Sequence, residues 1–362
     1  MLFYWIIFFV LLLLALVKGK KNHVWVFVIL LVMGATRART VGNDLNGGYW
    51  SEYVSMGTSP NTWGKVLPQF EVGFQWIMAN FKEYIDIFNY PLLFFHVLFA
   101  ITFINITIYC KRHTNHLALV FFFMYALAYY FSMYNIMRQM FCDSIILLWM
   151  TYYLQIKKPK LLLFVVLTII TCFLFHKSQI VLLIVVPLFF IYKKISHLWL
   201  YVGLILSMVL SMTLAKFAFE YLNLLAPYVD DGSSNMSRYM VGKKDFGQYS
   251  VLSVLLNTLF CIYCVFSNRH EKSYYLVLYV LGVICLNILT PISWIFSRVA
   301  EVFMFFRIFV YADLWYHVKN KKERLLFRFA VLLLSLVMFN NRLVKDHKFP
   351  DVVPYVNEYV KF

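Results

Sequence analysis

Three places in the chain set ionisable side chains within or at the ends of long apolar runs, and a fourth lies in the loop that follows one of them. Arg138 opens one run in Met137-Arg138-Gln139-Met140, and His176, Lys177 and Ser178 separate two runs in Phe175-His176-Lys177-Ser178-Gln179. Arg298 and Glu301 stand at the head of a later run, and Asp44 follows Arg37 and Arg39 and precedes Tyr49 and Tyr53. An ionisable group in a membrane helix costs about 2.5–3.5 kcal/mol on insertion scales, so each is a candidate for function. Cations gathered at membrane depth, with no matching surplus of carboxylates, suit the binding of a phosphorylated lipid head group.

Each residue also has a structural reading. Arg298 and Glu301 are spaced i,i+3 and can pair on one helix face. Arg138 and Lys177 lie at run ends, where long cationic side chains snorkel to the interface. His176 can cap a tight interhelical turn, Asp44 can cap a helix or turn, and Glu71 can meet the positive end of a helix dipole. Arg307 and Lys216 lie within runs away from the other cations and read as structural.

The elements that must position these groups follow from composition. Of 362 residues 62% are hydrophobic and 14% charged, and the mean hydropathy is +0.72. A globular domain is about 45–50% apolar and about 25% charged, so a cytosolic, secreted or disordered protein is excluded. The reading is an all-α polytopic membrane protein in a single integral domain, residues 1–362, with about 12 spans (range 10–12). Twelve apolar runs, from 2–17 to 325–339, carry it. The first reads as a retained span rather than a signal peptide.

Lys and Arg number 33 against 17 Asp and Glu, a net charge of +16. The basic residues fall in short clusters between alternate runs, such as Lys18, Lys20 and Lys21, Lys111 and Arg112, and Lys157, Lys158 and Lys160. That is a topological signal facing anionic lipid rather than a nucleic-acid surface, and it puts those loops in the cytoplasm and both termini outside. Two long loops then face outward, 37–90 and 223–250. In the first, Phe70, Phe74, Ile77 and Phe81 recur at helical spacing, which predicts an amphipathic helix in the membrane interface. Arg138, the His176 turn, Arg298 and the Asp44 loop all fall toward this outer side.

Metal and nucleotide signatures are absent: there is no Walker loop, G-x-G-x-x-G, H-E-x-x-H or D-x-D, so no cofactor is expected and an ATP-driven pump is disfavoured. Cys261 and Cys264, the one C-x-x-C pair, read as helix packing.

The run from Arg37 through Asp44 to Tyr49, then Phe70-Glu71-Val72-Gly73-Phe74, then Arg138-Gln139, then Phe175-His176-Lys177-Ser178, resembles the EpsG family of polysaccharide polymerases, which are similar to the Wzy polymerases of O-antigen and capsule. Arg298 sits in a family-like position. The chain departs from the pattern after Gln139, where Met140, Cys142 and Asp143 replace small apolar residues.

The resemblance implies a GT-C-like membrane enzyme of the bacterial cytoplasmic membrane with its site facing outside. Such an enzyme joins oligosaccharide repeat units carried on undecaprenyl diphosphate, alongside a flippase and a chain-length regulator. A sugar hydroxyl attacks the anomeric carbon of the growing chain and undecaprenyl diphosphate leaves. Without a metal, fixed cations must stabilise the departing charge: Arg138, Lys177 and Arg298, with Arg37 as a further candidate. His176, Asp44 and Glu71 are candidate proton acceptors. Gln139, Ser178 and Tyr49 join the substrate-binding set, and Tyr49, Trp50, Tyr53 and Trp76 offer faces for sugar rings. A lipid-linked oligosaccharide flippase and a polysaccharide acyltransferase are the competing readings. A flippase would line several helices with polar groups through their full depth, whereas here such groups gather toward one face.

Overall fold

The computed structural model describes residues 1–17, 19, 21–42, 44–57, 70–86, 90–211, 213, 251–268, 273–290, 294–348 and 353–359. The expected outer loop 223–250 and Lys216 lie outside them. The described residues are helical, with one isolated antiparallel bridge between Arg37 and Asn357. Two compact units are present, one of residues 1–183 and 325–362, the other of residues 184–324.

In the first unit, helices α1 (Leu2–Leu16), α2 (Asn22–Ala35), α3 (Trp50–Ser55), α4 (Val72–Tyr84) and α5 (Leu92–His113) are followed by α6 (Leu117–Ala126), α7 (Tyr129–Asn135), α8 (Met137–Trp149) and α9 (Leu161–Phe175). A π-helical turn, Leu45–Tyr49, leads into α3, and another, Met150–Leu154, prolongs α8. Two ends of the unit can be told apart by what meets there. At one, Phe3 stacks on Tyr355 at 4.4 Å, the Tyr355 hydroxyl donates to Met33 O, and His96 bonds the Arg37 carbonyl. At the other, the Arg112 guanidinium lies 4.7 Å from the Tyr152 ring and His113 bonds Thr151. The basic segments 111–113 and 157–160 therefore belong to one end, and both described termini belong to the other.

Among the described residues, Leu92–His113 and Lys321–Val344 are long and apolar enough to cross a membrane, and α6 with α7 makes a third if that bent pair counts as one span. The other apolar helices run 10–17 residues, short of the roughly 20 needed for a perpendicular crossing. Twelve crossings are thus predicted by the runs, and two or three are identified by helix length.

Three runs are less regular than their hydropathy predicts. The run 116–132 breaks where Ala128 takes φ 68°, the left-handed form in which helices stop, and the axis turns by 59°. The run 179–192 forms a 3-10 helix, Lys177–Ile184, followed by α10 (Val185–Ile191). Pro187 accounts for that, since it has no N–H to give and its ring crowds the carbonyl four residues back. The run 295–316 divides into α14 (Trp294–Met304) and α15 (Arg307–His317), after α11 (His197–Ser211), α12 (Val251–Ser267) and α13 (Tyr274–Leu289). Gly282 of α13 comes so close to this break that a Cβ would lie 2.6 Å from Met304 N. The last helix, α16 (Lys321–Lys348), returns the chain to the first unit from Leu325 onward.

The second unit has its own polar core. Asn287 donates to Ser207 and Thr258 at 3.0 and 2.9 Å, and the Tyr279 and Tyr311 hydroxyls bond at 2.9 Å. Cys261 and Cys264 are buried in it.

Candidate functional site

Glu71 is the N-cap residue of α4, yet its carboxylate makes no bond to its own helix. The charge stands at the positive end of the α4 dipole, while its oxygens bond elsewhere. Oε2 accepts from Arg138 Nη1 at 2.7 Å, and Oε1 accepts from the Lys177 backbone N–H at 3.3 Å and lies 3.8 Å from His176 Nδ1. Three segments far apart in sequence meet on one carboxylate.

Arg138 is fixed on two further sides. Its Nε donates to the Tyr49 hydroxyl at 3.1 Å, and its guanidinium lies 4.3 Å from the Phe70 ring centroid. Charge-assisted bonds and an aromatic face are what hold a planar guanidinium in one orientation. Side-chain exposures of 16% for Arg138, 12% for Glu71 and 20% for His176 leave the group half-sheltered yet open to a ligand.

The sequence builds this meeting locally. The α-helix Leu161–Phe175 stops at His176, whose φ of −164° is extended, and the chain tightens into the 3-10 helix that starts at Lys177. That turn aims the Lys177 N–H outward. Helix α4 reaches it because residue 73 is glycine: a Cβ there would lie 2.7 Å from both Leu174 Cβ and Leu174 O. The apolar face of α4 is turned to protein, with Phe74 and Phe81 packed on Phe94 and Phe70 on Tyr49. Trp76 on the opposite face is 56% exposed. The helix predicted to float in the interface is docked on the first unit by that face.

Helix α3 is tied to α4 by Lys82, whose ammonium donates to the carbonyls of Tyr53, Val54 and Met56 at 3.1, 2.8 and 2.7 Å. Those are the carbonyls that the end of a helix leaves free, where a cation is favoured. Asp86 accepts from the Tyr53 hydroxyl and from Tyr90 N–H. Burial, and then the Asp86 carboxylate, push the Tyr53 phenol above its usual range, so it stays a donor.

Of the residues singled out in the sequence, Glu71, Arg138, Tyr49, His176 and Lys177 are brought together. Asp44 directly precedes the π-helical turn that carries Tyr49. Gln139 is buried beside Arg138 in α8, and the Ser178 side chain is exposed. Arg298 is partly buried on α14 of the second unit, three residues before Glu301. Arg37, expected as a further diphosphate ligand, is fully buried and presents no surface in this structure. Burial also pulls its guanidinium below the usual arginine value. In the sequence Phe70 and Gly73 belong to the motif without a site role of their own, and Lys82 is not singled out, yet all three help to hold the group in place. Gly73 left a signal, as the one small residue between Phe70 and Met78 in a helix of large side chains.

Residues 21–357 match the family described as the EpsG family. The chain belongs to the EpsG family. Members of this family are Wzy-like polysaccharide polymerases. Family and composition together make the EpsG-family chain a membrane protein with a polymerase role in exopolysaccharide synthesis. No curated protein and no solved structure matches the chain.

Proposed function

We propose that this EpsG-family protein polymerises undecaprenyl-diphosphate-linked oligosaccharide repeat units into O-antigen, capsule or exopolysaccharide at the outer face of the bacterial cytoplasmic membrane, without a metal. In this reading the chain crosses about twelve times in a GT-C-like arrangement. A flippase supplies its substrate and a chain-length regulator sets when it stops. The observation that carries the reading is the meeting of Glu71, Arg138, His176 and the Lys177 N–H at one end of the first unit.

The chemistry follows from one carboxylate facing several donors. The diphosphate of the lipid-linked donor competes with Glu71 for Arg138, and the guanidinium passes from the carboxylate oxygen Oε2 to phosphate oxygens, which its fork can meet two at a time. Lys177 adds a second positive charge. Glu71, released from Arg138, keeps the Lys177 N–H and faces His176. The acceptor hydroxyl gives its proton to His176 as its oxygen bonds the anomeric carbon, and Glu71 stabilises the imidazolium. The bond from the anomeric carbon to the diphosphate oxygen breaks, and its electron pair leaves on undecaprenyl diphosphate, held by the cations. Gln139, Ser178 and Tyr49 are assigned to substrate binding in this reading, and Asp44 is the alternative proton acceptor.

The test is surface-polysaccharide length by gel in a deletion strain and in strains carrying Arg138→Ala or Glu71→Gln. Collapse of the ladder to a single capped unit in all three supports the reading. An unchanged ladder in the deletion strain rejects it, and lipid-linked single units trapped on the cytoplasmic side point to flipping instead.

A further inference from the structure

Among the described residues of the first unit, the most completely enclosed cation is Arg37, at 0% exposure. Its guanidinium lies 4.3 Å from the Tyr134 ring and 5.7 Å from Phe99. Nη1 donates to Gly34 O at 3.4 Å, and Nη2 donates to Met137 Sδ at 3.5 Å. Gly34 lies in the last turn of α2, Tyr134 in the last turn of α7, and Met137 opens α8 one residue before Arg138. One buried charge therefore ties together three helix ends, two of them C-terminal turns whose free carbonyls favour a cation.

The cage is roofed by the tail. Ala38 N–H donates to Val356 O at 2.8 Å and Glu358 N–H to Thr36 O at 2.9 Å, the two bonds that flank the Arg37–Asn357 bridge. Asn357 Nδ2 donates to Thr36 Oγ1 at 2.8 Å and the Tyr355 hydroxyl to Met33 O at 2.9 Å. His96 joins roof to cage, with Nε2 2.8 Å from Arg37 O and Nδ1 3.2 Å from the Tyr359 hydroxyl. A carbonyl only accepts, so Nε2 carries a hydrogen, and Nδ1 is free to accept from the tyrosine. Gly42 completes the enclosure: its φ is +113° and a Cβ would lie 2.9 Å from Tyr134 O, a position that only glycine fills without strain.

We infer that Arg37 is a positioning residue, and that residues 353–359 are the strap that holds it. Together they set the first turn of α8, and through it the orientation of Arg138 toward Glu71. The inference rests on the polymerase reading above. It separates two roles that the sequence merged: Arg138 meets the diphosphate and Arg37 aims Arg138. Ile136, at φ −93° and ψ 51°, is outside helical geometry, so α8 does not simply continue α7, and its first turn answers to what packs against Met137. A shift of about 1 Å in a group that orients the reacting atoms costs on the order of 100-fold in rate.

The test compares Arg37→Met, Arg37→Lys and Tyr359→Phe with Arg138→Ala in cells whose own copy is deleted, with membrane content of each variant measured by blot. Arg37→Met is expected to give only short chains, Arg37→Lys to restore intermediate ones because it keeps the charge, and Tyr359→Phe to shorten the distribution. In membranes supplied with the lipid-linked repeat unit extracted from the deletion strain, Arg37→Met should lower kcat roughly 10–100-fold and leave KM within about twofold. A raised KM with unchanged kcat would mean that Arg37 binds substrate itself, and overturns the assignment. Should Arg37→Met fail to reach the membrane, Arg37→Lys and Tyr359→Phe decide, and wild-type length in both overturns the inference while Arg138→Ala still collapses the ladder. Wild-type length in Arg138→Ala as well removes the polymerase reading and this inference with it.

Discussion

Glu71 holds Arg138 at 2.7 Å across 67 positions of sequence, and it does so with the oxygen that Lys177 and His176 do not face. The two oxygens divide the work, one for the guanidinium and one for the start of the 3-10 helix. A double-mutant cycle of Glu71→Gln and Arg138→Gln should therefore show a coupling of about 1–3 kcal/mol in the thermal unfolding of the purified protein. A coupling under about 0.5 kcal/mol would class the pair with ordinary exposed ion pairs.

Gly73→Ala should act on the site without touching its chemistry. The added methyl would meet Leu174 Cβ and O at 2.7 Å, which forces α4 away from α9. The expected cost is about 1–3 kcal/mol, together with loss of long polymer, because Glu71 and the Lys177 N–H move apart. Full-length polymer from this variant would show that the close approach is incidental.

Lys82→Met removes the ammonium that satisfies three carbonyls of α3 and keeps the aliphatic stem. A loss of about 1–3 kcal/mol is expected, read as a lower midpoint in thermal unfolding, with polymer length less affected than by Gly73→Ala. If Lys82→Met matched wild type in stability, the segment would owe its place to aromatic packing alone.

Ala128→Gly should stabilise. Ala128 holds φ 68°, a conformation that costs an L-residue roughly 1 kcal/mol and glycine almost nothing. The gain is partly offset by the greater freedom of glycine in the unfolded chain. The midpoint should stay level or rise by a few degrees, and a clear fall would mean that the methyl packs in a way that outweighs the strain.

Much of the site could be read from residue types because charge in an apolar run is rare. Arg138, His176 and Lys177 each interrupt a hydrophobic stretch, and Tyr49 and Glu71 sit in the loop that shares their side. Pairing was harder to read. That Glu71 would turn from its own helix to Arg138 depends on Gly73 and Leu174 touching, which is a fact of packing rather than of composition. Arg37 looked equivalent to Arg138 because sequence shows charge and not enclosure; the rings of Tyr134 and Phe99 that hide it come from elsewhere in the chain. The breaks at Ala128 and between Met304 and Arg307 were harder to read, since neither carries proline or glycine, and Arg307 beside the second reads as a structural charge rather than as a helix boundary. By contrast, Leu161–Phe175 and Tyr274–Leu289 fall where the hydropathy places them, bounded by charged or polar segments at each end.

The bridge between Arg37 and Asn357 also orders events in time. The first half of the cage leaves the ribosome long before the roof, and at about 5–20 residues per second the wait is roughly 15–60 s. A nascent chain already threaded into the lipid would thus carry Arg138 and Glu71 yet lack the residues that steady them, so competence waits until residues 353–359 have been made. Reporter fusions should respect this: a bulky domain appended beyond residue 359 lands beside the cage, whereas one grafted into the 111–116 turn lands at the far end of the unit.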